Sequence, residues 1–221
     1  MEAERGQGFS FDDFALHTLL RGIMPVSEPN SETEKKFEDH RNKLRHEATC
    51  LASYIALYRN LHERRTDRLA EMNLAPAFFQ TVIMALNSAL ILWVSKLFDK
   101  NGQRGIFNFL SFIENNLGIF SIEQLQRRRN YPAGHRLLDQ EPITVETINE
   151  YKRLIESLEC LPSFRTRRDK FYAHFDKEYF FDPDRLAEEA PLTRDDLEEV
   201  VRILSEIIDH YSCAYDGEMS Y

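Results

Sequence analysis

The sequence predicts an all-α helical bundle, and three observations carry that prediction. Apolar residues recur at helical spacing through long charged stretches, and no segment keeps up the alternation that a half-buried strand requires. Glycine and proline, eight of each in 221 residues, are too few for a sandwich or barrel that turns every ten residues. With 43% hydrophobic and 29% charged residues, the chain has the composition of a folded globular protein.

The elements follow in order. A short helix is expected from Phe9 to about Leu20, ended by Gly22 and Pro25. Ser31 then starts a long helix as its N-cap, with Glu34 placed to reach back in a capping box. Phe37, Leu44, Ala48, Leu51, Ile55, Tyr58 and Leu61 form its stripe, which either runs to about Met72 or breaks near Arg65. Pro76 opens a helix that is apolar almost all round. It is long enough to cross a bilayer, but Gln80, Asn87, Ser88 and Lys96 favour the buried central helix of the bundle.

DKNGQRG (99–105) is a turn by composition, Ile106 starts a short helix, and Ser121 with Gln124 caps another. RRRNYPAGH (127–135) reads as an exposed loop whose arginines prefer water. Helices follow from Thr144 to Cys160 and from Ser163 to about Lys177. Thr193 with Asp196 caps a last helix striped by Leu197, Val200, Val201, Leu204, Ile207, Ile208 and Tyr211. The expected organisation is an N-terminal extension, residues 1–30, and a single helical domain, residues 31–221, in which the C-terminal helix packs on the core.

Several chemistries are set aside by spacing. Glu-x-x-His, His-Glu-x-x-His, the phosphate-binding Gly-x-x-x-x-Gly-Lys loop and the Gly-x-Ser-x-Gly elbow are all missing. Cys50, Cys160 and Cys213 lie far apart and form no CxxC pair, so neither a disulfide framework nor a thiolate zinc site is expected. No metal or other cofactor is called for. Sparing thiol use and a polar N-terminus, MEAERGQGFS, without an apolar signal core lead to the expectation of a cytoplasmic protein with no membrane partner.

The net charge of −9 argues at first against nucleic acid, because phosphate contacts need Lys and Arg. The acidity is local, however: residues 178–221 hold thirteen acids against three bases. Just before them, the window 165–177 within SFRTRRDKFYAHFDKEYF (163–180) has a net charge of +3 and surrounds His174. On a helix Phe164, Phe171 and Phe175 would face the core. Arg167, Lys170, His174 and Lys177 would form a cationic row beside them, with Arg168 partly sheltered and in need of an anion.

RDKFYAHFDK (168–177), an Arg and a following polar residue with His six positions after the Arg, resembles the signature of the HEPN superfamily of helical-bundle proteins. It is most similar to the AbiU-type abortive-infection branch, as is LILWVSKLFDKNG (90–102) ahead of a short amphipathic helix. Arg41 to His46 and Arg129 to His135 have comparable spacing without that context. The resemblance implies a HEPN-like bundle acting as a metal-independent endoribonuclease and abortive-infection toxin. It also implies pairing of two copies around one groove, with a cognate antitoxin protein as a further partner. Arg168, His174 and Asp169 would be catalytic, and Arg167, Lys170, Arg165 and Lys177 would contact RNA phosphates. On one straight helix Arg167 lies ~20° from His174 and Arg168 ~120°, so geometry and family pattern favour different arginines. The competing reading is a non-catalytic interaction module whose acidic tail holds a basic partner.

Overall fold

The computed structural model describes residues 31–64, 66–173 and 182–218, and among these every regular element is helical. The expected helix at 9–20 lies outside the described residues. Helix α1 (Glu32–Glu63) is followed by a single turn, α2 (Leu69–Met72), and then by α3 (Pro76–Leu97) and α4 (Ile106–Glu114). A 3₁₀ turn at Leu117–Phe120 leads to α5 (Ile122–Arg129), and a second at Arg136–Asp139 precedes α6 (Val145–Glu156). Helix α7 (Leu161–Arg167) continues into a π-helical turn, Arg168–Ala173, and α8 (Pro183–Glu189) and α9 (Arg194–Asp216) complete the chain.

The capping chemistry is largely as the sequence dictates. The Ser31 hydroxyl accepts from the Glu34 amide at 3.1 Å, Ser121 accepts from the Gln124 amide, and Thr193 with Asp196 forms a reciprocal capping box. The Glu34 carboxylate turns instead toward Arg127 and Arg128. Helix α1 ends at Glu63 and does not reach Met72, and α9 ends on Gly217, whose φ of 75° suits glycine.

Helix α1 packs against α9 and α3, α4 lies against α1 and α6, and α7 sits on α3. An aromatic cluster joins α1, α4, α9 and the 3₁₀ turn at Leu117–Phe120. The Phe37 ring lies 5.6 Å from Phe109, 5.1 Å from Phe120 and 4.6 Å from Tyr215, all four fully or almost fully buried. Helix α3 belongs to this core only through its second half, where Leu86, Leu90, Ile91, Val94 and Leu97 are buried. The expectation of a helix buried on all sides is corrected here: Phe78, Met84 and Leu92 on its outer side are exposed.

A second correction concerns Arg127–Arg129. They form the last turn of α5, and Arg128 and Arg129 are sunk into the protein with 4% and 7% of their side chains exposed. Arg128 donates to Glu34 Oε1 at 2.7 Å and to the carbonyls of Tyr215 and Ile119, and its guanidinium lies 3.7 Å from the Tyr215 ring centroid. Arg41 and Asp216, both buried, pair at 2.6 Å, and Arg129 holds the Asp216 carbonyl and the Glu218 carboxylate. These arginines give up water because partners distant in sequence replace it. Part of the acidic C-terminal charge is thereby consumed inside the fold.

Two half-buried histidines add a pH dependence. Burial pushes the imidazoles of His40 and His210 below the ordinary histidine value, against a backbone hydrogen bond at Arg104 and the charge of Glu206 respectively. The unfolded chain titrates near ~6.5, so it binds more protons than the folded one as pH falls through that value. Their contribution to stability is therefore complete above ~6.5 and declines below it. The expected result is a lower unfolding temperature at about pH 5.5 than at about pH 7.5, with a smaller difference in a His40→Gln/His210→Gln variant.

Candidate functional site

The candidate site is built from α7 outward. Phe164 is fully buried and anchors α7, and its carbonyl accepts a hydrogen bond from the buried Ser95 hydroxyl of α3 at 3.2 Å. Arg168 ends α7 and begins the π-helical turn. That turn lies against α3, where the Asn87 amide donates to the Tyr172 hydroxyl at 3.1 Å and Ser88 also bonds that hydroxyl. Burial pushes the Tyr172 phenol above its ordinary value, so it stays a neutral bridge at cellular pH.

Arg168 and Asp169 come together on this turn. Arg168 Nε donates to Asp169 Oδ1 at 2.6 Å, with 29% of the Arg168 side chain and 48% of the Asp169 side chain exposed. The partner anticipated for the sheltered arginine is thus the adjacent residue. Asp169 beside it, and more distantly Asp99, raise the Arg168 guanidinium above its ordinary value and keep it cationic. An Nε-bound carboxylate fixes the plane of the guanidinium and leaves its remaining donors on the outer edge of the fork.

Arg167 is placed differently. Its Nε donates to the Ala190 carbonyl at 2.6 Å, stitching the end of α7 to the end of α8. Burial lowers its pKa, and Tyr172 and Tyr58 are its electrostatic neighbours. The straight-helix argument that favoured Arg167 fails because residues 168–173 wind as a π turn, whose i→i+5 bonds change the rotation per residue. Arg165 is partly buried and Lys170 exposed on the same stretch, whereas His174 and Lys177 lie outside the described residues.

The two other Arg-to-His spacings are decided by burial. Arg41 is locked to Asp216, and Arg129 to the Asp216 carbonyl and Glu218, so neither arginine is presented to solvent. Asn87, Ser95, Asp99 and Tyr172 were not singled out as site residues by sequence. Asn87 carried a signal nonetheless, as a polar residue inside an apolar helix.

A family model, HEPN_AbiU2 (AbiU2), matches residues 34–219 of the chain. The protein belongs to the AbiU2 family of HEPN proteins. This AbiU2 protein is accordingly of the abortive-infection HEPN type, and its all-helical architecture is that of the family. No curated protein and no solved structure matches it. The matched span includes the Arg168–Asp169 pair, the helix α3 that braces it and the sequence through His174.

Proposed function

We propose that this AbiU2 protein is an endoribonuclease that cleaves RNA by transesterification, acting in the cytoplasm as an abortive-infection toxin held in check by a cognate antitoxin protein. The observation that carries the reading is the Arg168–Asp169 pair, partly exposed on a π-helical turn six residues before His174, in a chain matched to the AbiU2 family. Turns of that type recur at functional sites.

In the proposed reaction His174 removes the proton of a ribose 2′-OH. The 2′-oxygen attacks the adjacent phosphorus, the bond to the 5′-oxygen breaks, and a proton is returned to that oxygen. The products are a 2′,3′-cyclic phosphate and a 5′-OH end. Arg168 stabilises the negative charge that builds on the phosphorane oxygens, and Asp169 holds its fork in plane. Arg165, Arg167, Lys170 and Lys177 supply charge for a contact of a few phosphates, not an extended footprint. Two copies pair so that both motifs face one groove.

The test is incubation of the purified protein with structured RNA in the presence of EDTA. Wild type is expected to leave 2′,3′-cyclic phosphate ends, and His174→Ala to lose at least ~10²-fold in rate. Cleavage that survives His174→Ala and Arg168→Ala overturns the assignment, and absence of cleavage on any RNA favours the interaction-module reading.

A further inference from the structure

The last turns of α1 bring two aromatic rings to the end of the bundle that carries the π-helical turn. Trp93 of α3 fixes the register, donating to Glu47 at 2.6 Å and meeting the Tyr54 ring edge-on at 5.2 Å. One turn beyond Tyr54, Tyr58 is an electrostatic neighbour of both Tyr172 and Arg167. Asn87, which holds the Tyr172 hydroxyl at 3.1 Å, lies on the N-terminal side of Trp93 in α3. The two helices therefore run antiparallel here, and the end of α1 passes alongside the π turn. His62 follows one turn later, its ring 4.7 Å from that of Tyr58 and inclined to it at 49°.

The rotation of these turns is fixed from another side. Arg59 and Glu63, one step further round the helix, pair with Glu198 at 3.6 Å and with Arg194 at 2.6 Å on α9. Tyr58 is partly buried against the core, whereas His62 is exposed, and the inclined rings do not close face to face on each other. Beside them Arg167 places its Nε on the Ala190 carbonyl, and a guanidinium has further donors for an anion. An exposed ring pair four residues apart contributes little to a helix by itself. Next to a cation it matches the way single-stranded nucleic acid is held: charge follows the backbone, and rings take the π-faces of the bases. Bases inside a duplex offer no such face, so the arrangement selects unpaired nucleotides.

We propose that Tyr58 and His62 form a stacking platform for an unpaired RNA base beside the phosphate held by Arg167 and Arg168. The proposal rests on the endoribonuclease reading and adds to it the form of the substrate. Cleavage falls in loops, bulges or single strands, with little preference among the bases, because every base has a π-face. The two rings bind substrate and take no part in proton transfer.

The test compares the wild-type full chain with His62→Ala, His62→Phe and Tyr58→Leu, the last of which keeps apolar volume without a ring. On a single-stranded RNA, His62→Ala and Tyr58→Leu are each expected to raise KM by ~5-fold or more, with kcat and unfolding temperature little changed. His62→Phe, which keeps a π-face, should stay near wild type. A 2′-O-methylated copy of the RNA, which cannot be cleaved, should lose affinity in the same order. Carrying 4-thiouridine, it should photocrosslink to the peptide that contains Tyr58 and His62. Wild-type KM and affinity in His62→Ala overturn the platform and leave the cleavage reading in place, as does crosslinking confined to other segments. Because His62 is exposed, that variant decides the matter even where Tyr58→Leu unfolds. Failure of wild type to cleave any RNA overturns the endoribonuclease reading instead, and the platform then stands or falls on binding and crosslinking of the 2′-O-methylated RNA.

Discussion

Replacing Arg128 with alanine is expected to lower the unfolding free energy by about 3 kcal/mol, the lower end of the range for removing one partner of a buried ion pair. Arg128 serves three acceptors on separate elements at once: Glu34 at the start of α1, the Ile119 carbonyl in the 3₁₀ turn, and the Tyr215 carbonyl near the end of α9. Its loss takes one arginine from Glu34, 3% exposed and also paired with the half-exposed Arg127, and removes a donor from the buried Tyr215 carbonyl and the part-buried Ile119 carbonyl. The contact with the Tyr215 ring is lost as well. Arg128→Lys is expected to recover little, because a single ammonium cannot reproduce a planar fork that reaches three directions. Urea unfolding followed by far-ultraviolet circular dichroism measures both, and a change below about 1 kcal/mol for alanine would show that the arginine is dispensable to the bundle.

The second large effect is expected at Arg168. If it stabilises the phosphorane, Arg168→Ala should reduce RNA cleavage by ~10²-fold or more, with the unfolding temperature little changed, because the side chain is partly exposed and pairs with a neighbour in sequence. Arg168→Lys should restore charge but not the planar donors, and so stay well below wild type. Asp169→Asn removes the anion that orients the fork and should give an intermediate loss, seen in kcat more than in KM. Arg167→Ala provides the contrast. Arg167 is half-buried and bound to the Ala190 carbonyl, so its loss should lower stability and weaken the link between α7 and α8. Rates of all four variants on one RNA, beside their unfolding curves, separate the two roles. Equal losses of activity from Arg168→Ala and Arg167→Ala at equal stability would remove the distinction between them.

Much of the candidate site was legible as residues, and little of it as geometry. Arg168, Asp169 and the burial of Phe164 follow from a motif and a phenylalanine register read along one short segment. The π turn was not legible, because it arises where the turn lies against α3, fastened through Tyr172, Asn87 and Ser88. Once it is present, the rotation that had favoured Arg167 no longer applies, and the Ala190 carbonyl claims that arginine.

By itself, the sequence determined what short-range physics controls. Helix starts at Ser31, Ser121 and Thr193 depend on a hydroxyl meeting an amide three residues on, and the stripes of α1 and α9 depend on a period of ~3.6. Those interactions are complete within a few residues, so they can be read in order. The tertiary structure alone decided where the charges go. Arg128 and Arg129 looked like part of a solvated loop, because the groups that make their burial tolerable, Glu34, Tyr215, Asp216 and Glu218, lie 87 to 94 residues away in the chain. It also decided that α3, apolar on every side, would cover only one side with the bundle. Desolvation of a charge and covering of an apolar face both depend on which distant surfaces meet, and no local spacing records that.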